Sequence, residues 1–213
     1  MSTTDTKSAE LSFTTEGVDK DRRRLLITAT SAVGAVGAGF VAWPFVASLN
    51  PSARTQAAGA PVEVDISKME EGQKLTVEWR GKPIWIVKRT QQSLADLQSS
   101  ELLTKLSDPD SNEEQQPGYA KNPTRAIKPE YLVVIGICTH LGCSPSYVKA
   151  NDPHDLGSDW KGGFFCPCHG SFFDLAGRVY QSVPAPTNLV VPPHTYLSDT
   201  RILVGVDQQE GVA

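Results

Sequence analysis

Two short boxes of cysteine and histidine constrain this chain more than any other feature of its sequence. The first box, CTHLGC, runs from Cys138 to Cys143, and the second, CPCHGS, runs from Cys166 to Ser171. Together they contain all 4 cysteines of the chain and two of its 4 histidines. A tetrahedral metal site is closed by about four such ligands. A site that joins the two boxes must therefore either leave some of these residues out or use them in another way.

Composition places the chain among ordinary folded proteins and excludes one class of partner. Its 213 residues are enough for one domain with its own core and additional segments. Hydrophobic residues make up 39% and charged residues 21% of the chain, which is typical of a folded protein. The formal net charge is −4, without a basic face, so we expect no nucleic-acid partner.

The first 49 residues predict a membrane anchor. Residues 1–20 are polar and predict a disordered segment, and three consecutive arginines at 22–24 precede an uncharged run at 25–49. One helix of that length spans the roughly 30 Å of a bilayer core. We therefore expect an uncleaved transmembrane helix at 25–49, with a cleaved signal peptide and a buried core helix as the alternatives. The arginines predict a cytoplasmic segment at 1–24 and resemble a twin-arginine signal, which exports folded proteins.

A linker and a mostly β domain are predicted for the rest of the chain. Residues 50–61, NPSARTQAAGAP, lack apolar periodicity and predict a flexible linker. Alternating apolar residues predict a strand at 62–66 and a hairpin at 75–87, and an apolar stripe predicts one helix within 93–106. Residues 108–129 are polar and predict a long surface loop. Strands are expected at 131–137 and 162–165, leading into the boxes, and at 189–191 and 201–206, closing an antiparallel fold.

The remaining histidines and two tryptophans are assigned to structural positions. His154 and His194 lie in the loop-like stretches NDPHD and VPPHT, so we expect both on the surface. Trp79 and Trp85 fall in the predicted hairpin and are expected in the core.

Four kinds of site could use the two boxes. A structural zinc ion would take Cys138, His140, Cys166 and His169 and leave two cysteines over. A four-cysteine iron–sulfur cluster, or two disulfides, would leave both histidines unexplained. A [2Fe–2S] cluster that takes one cysteine and one histidine from each box, with a disulfide between the other two cysteines, would use every residue. The last arrangement requires an oxidising compartment, which the predicted export provides.

The two intact boxes resemble those of the Rieske iron–sulfur proteins. The predicted anchor, the Ala/Gly-rich linker and the later stretch VPAPTNL at 183–189 extend the resemblance to the Rieske subunits of cytochrome bc complexes. The resemblance implies a small antiparallel β-sandwich at 62–213 with a two-loop cluster-binding subdomain at about 137–187. It also implies that one [2Fe–2S] cluster is bound by Cys138, His140, Cys166 and His169, and that Cys143 and Cys168 form a disulfide.

The function implied by this resemblance is electron transfer. Replacing two thiolates by neutral imidazoles makes the cluster easier to reduce. A ligand histidine, His140 or His169, would accept a proton while the cluster takes one electron from quinol, and the electron would pass to a c-type cytochrome. The implied partners are a cytochrome b subunit with bound quinol, a c-type cytochrome subunit and membrane lipid, in a dimeric complex at the bacterial inner membrane with the Rieske domain in the periplasm. The small Rieske subunit of a periplasmic oxidase such as arsenite oxidase, and an exported zinc-binding module, are the alternatives.

Three further positions are compared with the family pattern. Ser171 resembles the family serine whose hydroxyl bonds a cluster sulfur. Phe173 stands where many members have a tyrosine that donates to a ligand cysteine, and phenylalanine cannot donate. Val183 stands where many members have glycine in the proline-rich loop, so we expect a different local turn. Gly142 and Gly170 are expected to permit tight loop backbone.

Overall fold

The structure of the protein is a computed structural model that describes Gly17 and residues 19–207. These residues divide into two compact units between Ser52 and Ala53. Almost all of the predicted disordered segment at 1–20 lies outside the described residues.

The first unit is built on one long helix, α1, which spans Lys20–Ala47. Asp19 caps it, because its carboxylate accepts hydrogen bonds from the backbone N–H groups of Asp21 and Arg22 at 3.1 and 3.2 Å. The helix therefore begins five residues before the predicted anchor and includes the three arginines. Its most apolar window has a mean hydropathy of 1.8, and by length and composition the helix could cross a membrane. None of its residues is buried, which argues against the core-helix alternative.

Three small antiparallel sheets form the second unit, with strand orders β1-β9-β8, β2-β3-β4 and β5-β6-β7. The first two sheets consist of β1 Val62–Asp65, β9 Arg201–Val204, β8 His194–Ser198, β2 Lys74–Trp79, β3 Lys82–Lys88 and β4 Tyr131–Ile135. The third sheet consists of β5 Ser146–Val148, β6 Gly163–Cys166 and β7 Ser171–Asp174. This mostly β architecture with one N-terminal apolar helix confirms the predicted fold class.

The predicted hairpin is confirmed, and its turn shows why the register is fixed. Arg80 and Gly81 connect β2 to β3 with φ angles of 52° and 70°, the left-handed backbone that two-residue hairpin loops require. The strand β3 lies between β2 and β4 and is fully buried from Ile84 to Val87. Trp79 and Trp85 are buried, as expected, at 6% and 2% exposure.

Two predictions of helical and extended structure are corrected. Within the predicted linker, Ala53–Ala58 forms a short helix, α2. The single helix expected within 93–106 is instead two, α3 at Gln91–Asp96 and α4 at Ser100–Leu103. They are separate because Thr90 and Ser99 each cap a new N-terminus, accepting from the backbone N–H groups of Ser93 and Leu102.

The strand expected at 189–191 is not formed. The carbonyl of Val190 accepts a hydrogen bond from Ile135, but Val191 donates to Gln115 in the 108–129 segment. Two prolines follow at 192 and 193, and proline supplies no N–H for a ladder. The strand β8 therefore starts only at His194.

The surface assignments of His194 and of the segment 108–129 are also corrected. His194 is buried at 1% exposure, because its backbone N–H donates to the Tyr119 hydroxyl and its ring packs edge-on against that tyrosine. His154 is partly exposed, which agrees with the expected surface position. The segment 108–129 contains one 3₁₀ turn, Gly118–Ala120, and is not a simple surface loop, since Ser111, Ala120, Arg125 and Ala126 are buried in it.

Candidate metal centre

Both boxes lie at the ends of strands and at the same end of the domain. Box one follows β4, which ends at Ile135, and box two is the turn between β6 and β7. In that turn Cys166 pairs with Ser171 across the ladder. The register therefore fixes the second box at the tip of a hairpin, where the side chains of its turn can face outward.

Short backbone hydrogen bonds close each box into a tight loop. In box one the Cys138 N–H donates to the Cys143 carbonyl at 2.7 Å, and the Gly142 N–H donates to the Cys138 carbonyl at 3.1 Å. In box two the Gly170 N–H donates to the Cys166 carbonyl at 2.9 Å. Gly142 and Gly170 have φ angles of 85° and 75°, so both positions require left-handed backbone, as predicted.

A disulfide between Cys143 and Cys168 joins the two loops. The bonded cysteines are 25 residues apart in the sequence, and their Cα atoms are 6.8 Å apart. The predicted pairing is therefore present, and Cys138 and Cys166 remain as free thiols. The disulfide limits how far the loops can move apart.

The four remaining donors lie in two like pairs. Cys138 and Cys166 are both buried at 2% exposure, and their thiols are hydrogen-bonded to each other. The imidazoles of His140 and His169 meet edge to face, with ring centroids 4.7 Å apart. His169 is exposed and His140 is half-buried. Sulfur donors thus lie together in the interior, and nitrogen donors lie together at the surface.

A second group of sulfur atoms lies close by but does not form a metal site. The sulfurs of Cys143, Cys166 and Cys168 are within 4.8 Å of one another. Two of them are bonded to each other in the disulfide, and disulfide sulfur is not the thiolate that a metal requires. Only Cys166 of this group remains available as a ligand.

Ser171 and the backbone around the site act on the Cys138 sulfur. Burial raises the pKa of the Cys138 thiol, and the neighbouring Cys166 thiol acts in the same direction. The His140 backbone N–H and the Ser171 side chain lower it, because each hydrogen-bonds the sulfur. Ser171 is fully buried, so its hydroxyl is held at the sulfur site out of contact with water.

The proline-rich loop at 183–187 is held onto the two boxes by hydrogen bonds. The Ala185 N–H donates to Ser171 Oγ at 3.0 Å, and Thr139 Oγ1 donates to the Thr187 carbonyl at 2.7 Å. Thr139 was not among the predicted site residues. Its position between two ligand candidates, with a hydroxyl that can reach another chain segment, is the signal that could have identified it.

The turn before the loop places Ser182, rather than Val183, in left-handed backbone at φ 59°.

Phe173 lies directly behind the site. It is fully buried, pairs with Phe164 across β6 and β7, and belongs to the same apolar cluster as Cys138 and Cys166. It contributes packing but no hydrogen bond. Around the histidines the surface is apolar, since Leu141 is 72% exposed and Pro167 is also exposed.

The donor set fits a [2Fe–2S] cluster with mixed ligands. Such a cluster requires two thiolates on one iron and two imidazoles on the other. The paired buried thiols and the paired imidazoles supply those ligands in that grouping, and the disulfide accounts for the two cysteines left over.

These features define a Rieske-type iron–sulfur domain, and comparison with known families agrees. The model of the Rieske [2Fe-2S] domain matches residues 61–194, and the model described as Ubiquitinol-cytochrome C reductase Fe-S subunit TAT signal matches residues 14–52. The ubiquinol-cytochrome c reductase iron-sulfur subunit of Allochromatium vinosum is 66% identical, covering 91% of this chain and 92% of that protein. The subunit of the same name from Bradyrhizobium diazoefficiens is 46% identical, covering 86% and 94%. A solved chain titled Hyperthermophilic respiratory Complex III has a TM-score of 0.45 at 24% identity, covering 82% and 97%.

The chain belongs to the iron–sulfur subunits of ubiquinol–cytochrome c reductase. The predicted family and its cofactor, one [2Fe–2S] cluster, are thereby confirmed, and the twin-arginine signal is confirmed as a family feature.

Proposed function

We propose that this protein carries single electrons from quinol to a c-type cytochrome within ubiquinol–cytochrome c reductase. The observation that carries the proposal is the convergence of two free thiols and two imidazoles at one end of the domain, with the imidazole of His169 exposed. An exposed nitrogen ligand lets a reactant approach the metal site without opening the core.

Cys138 and Cys166 would bind one iron, and His140 and His169 would bind the other. The thiol-beside-thiol and ring-beside-ring arrangement supports this division. The buried cysteines would keep water away from the inner iron. Ser171 would hold its hydroxyl on the sulfur side of the site, where it stabilises negative charge.

The histidines would couple a proton to the electron. When bound, a Rieske [2Fe–2S] cluster supplies a one-electron acceptor at a potential of about −150 to +300 mV. Each ligand imidazole keeps a second ring nitrogen that can hold a proton. The exposed ring of His169 would accept a hydrogen bond from a quinol hydroxyl and take its proton, and the apolar rim of Leu141 and Pro167 would exclude competing water.

The chain architecture supports a membrane complex as the setting. We propose that α1 crosses the bacterial inner membrane once, with residues 1–24 in the cytoplasm and the Rieske domain at 62–213 in the periplasm. The partners would be a cytochrome b subunit with bound quinol, a c-type cytochrome subunit and membrane lipid, in a dimeric complex. The helix α1 provides the lipid contact, since its large apolar side chains are exposed.

Residues 50–61 would act as a hinge between anchor and domain. The helix α2 has only six residues, and so short a helix is marginal by itself. Six residues span roughly 9 Å as a helix and about 20 Å when extended, so unwinding would lengthen the tether. Ala57→Pro and Ala58→Pro together would stiffen the segment and prevent α2 from forming, so the tether could no longer change its length. This double variant should slow electron delivery to the cytochrome while the reduced spectrum stays unchanged. Unaltered turnover in that variant would reduce the segment to a passive spacer.

The decisive experiment measures metal, sulfide and spectrum in the purified full chain. We expect two irons and two acid-labile sulfides per chain, and a [2Fe–2S] electron paramagnetic resonance signal of low average g value on reduction. Stoichiometric zinc without sulfide would instead support the exported zinc-binding module. Quinol-dependent reduction of added c-type cytochrome by the assembled complex then tests the partners.

A further inference from the structure

The segment at 108–126 is joined at three places to residues 188–191, which directly follow the proline-rich loop in the chain. The Val191 N–H donates to the Gln115 carbonyl at 2.8 Å. Asn188 Nδ2 donates to the Asp108 carbonyl at 3.1 Å and lies 3.5 Å from Ser111 Oγ. Arg125 Nη2 donates to the Leu189 carbonyl at 2.8 Å. The proline-rich loop is therefore bonded to the two boxes by its own residues, Ala185 and Thr187, and is linked to this segment through residues 188–191.

Arg125 is the central member of these contacts. Its guanidinium is fully buried and donates to the Ala176 and Gly177 carbonyls at 3.0 and 3.3 Å, as well as to Leu189. The Leu189 N–H donates in turn to the Gly177 carbonyl at 2.8 Å. One side chain thus holds both the turn after β7 and Leu189, two residues after the proline-rich loop.

The buried charge and the left-handed backbone of Arg125 are both unfavourable for folding, which indicates that this residue has a specific structural role. Burial lowers the pKa of Arg125 to about 10, so the group still carries its charge in a largely apolar interior near pH 7. Its backbone has a φ of 48°, a left-handed conformation that is unfavourable for a residue with a side chain. Ser111, in the same segment, is also buried with a positive φ of 54°.

Asn188 completes the support. It is fully buried, and its Oδ1 accepts the Val179 N–H at 2.8 Å while its Nδ2 donates to the segment. Only two residues separate it from Ala185, whose N–H bonds Ser171. A shift of Asn188 would therefore move Thr187 and Ala185, the two loop residues that bond the boxes.

We propose that Arg125, together with Asn188, is a positioning residue for the redox site. It holds the proline-rich loop so that the Ala185 N–H stays on Ser171 Oγ and the Thr187 carbonyl stays on Thr139. Ser171 Oγ, with one lone pair occupied by Ala185, can direct its hydrogen toward the sulfur site. Loss of the support would let the Ser171 hydroxyl turn away and would expose the site to water.

Arg89 supplies a matched control. It is also buried, at 2% exposure, and burial likewise lowers its pKa to about 10. Its guanidinium donates to the carbonyls of Pro129, Thr124 and Leu175. Thr124 lies in the segment at 108–126, but none of the three lies in residues 188–191. Arg125→Gln and Arg89→Gln therefore remove comparable buried charges, and only the first removes a contact with residues 188–191.

Two measurements on the full chain test the proposal. Amide hydrogen exchange at Ala185, measured relative to exchange at Ile86 in the buried sheet, should be faster in Arg125→Gln than in the wild type. In Arg89→Gln the ratio of these two exchange rates should stay at its wild-type value. The midpoint potential should fall in Arg125→Gln and stay unchanged in Arg89→Gln. The potential rests on the proposed function, whereas exchange at Ala185 does not, so failure of one can be distinguished from failure of the other.

Two further variants keep the test decisive if Arg125→Gln does not fold. Arg125→Lys keeps the charge without the planar fork and should give a smaller acceleration in the same direction. Asn188→Ala should accelerate exchange at Ala185 through the other fastening point. Equal changes in the Arg125 and Arg89 variants, or no change at Ala185 in any of them, would overturn the positioning role.

Discussion

The base and the tip of the domain are held together by different forces. The base consists of the sheets β1-β9-β8 and β2-β3-β4, and it buries apolar side chains completely, such as Ile84, Ile86, Val133 and Ile202. The tip consists of the two boxes and residues 182–187, and it adds one disulfide and hydrogen bonds to backbone groups to the apolar packing of Cys138, Cys166 and Ala185. Several tip residues are exposed, including His169 and Leu141.

This difference separates stability from chemistry. Burial of apolar area is non-directional, so it stabilises the base without aiming any particular atom. Hydrogen bonds and a covalent bridge are directional, so they can place ligand atoms at the surface where a reactant can reach them. Changes at the base should therefore alter the free energy of unfolding, and changes at the tip should alter the site.

The largest effect is expected from Cys138→Ser, which removes a proposed iron ligand. The variant should lose the normal [2Fe–2S] signal entirely, because a serine hydroxyl does not replace a buried thiolate. The base should remain folded, which circular dichroism would detect. Wild-type levels of iron and sulfide in the purified variant would show that Cys138 is not a ligand.

At the base, Ile86→Ala should cost about 2–5 kcal/mol of unfolding free energy, because it leaves a cavity under a fully buried strand. Denaturant titration of the full chain in detergent measures this loss. The midpoint potential of the folded fraction should not move. A shifted potential would mean that the base and the tip are mechanically coupled, which would contradict the separation of stability from chemistry.

An intermediate effect is expected from Cys143→Ser, which opens the disulfide but leaves the proposed ligands intact. A cross-link of this loop length contributes about 3 kcal/mol to stability. Some cluster should remain, with faster loss of iron and a lower midpoint potential, because the loops can move apart. If Cys143→Ser and Cys138→Ser lost iron equally, the division into bridging and ligand cysteines would be wrong.

The smallest effect is expected from Phe173→Tyr, which adds a possible donor behind Cys138 and Cys166. A hydrogen bond to a ligand sulfur would favour the reduced state by about 1 kcal/mol, which corresponds to some tens of millivolts for one electron. Potentiometric titration should show a raised midpoint. A midpoint that is unchanged or lowered in a correctly folded variant would contradict the assignment of this position.

Local patterns predicted the base well, since its strands depend on alternation and short turns. The hairpin with its Arg80–Gly81 turn follows directly from such patterns, and so does the strand predicted at 131–137, which the structure forms at 131–135. The break between α3 and α4 was missed, because a cap such as Ser99 can equally sit within a continuous helix. The burial of His194 was missed because its partner, Tyr119, is 75 residues away in the sequence.

At the tip, the residue types could be predicted and their supports could not. The two boxes identified the thiols and imidazoles as candidate ligands, and the resemblance to a family implied how they pair. Thr139 and Arg125 hold the site through backbone carbonyls of distant residues. A carbonyl carries no sequence signal, because every residue has one.

The contacts that hold residues 108–126 in place limit where related chains can differ in the length of this segment. Connecting segments usually tolerate insertions, because few contacts depend on their length. Here Ser111 and Arg125 are buried with positive φ angles, so the backbone between them has fixed end points. Residues 112–114 between these points are exposed. Across related chains, additions and deletions should therefore collect at 112–114, while the stretch from Ala120 to Ala126 should keep a constant length.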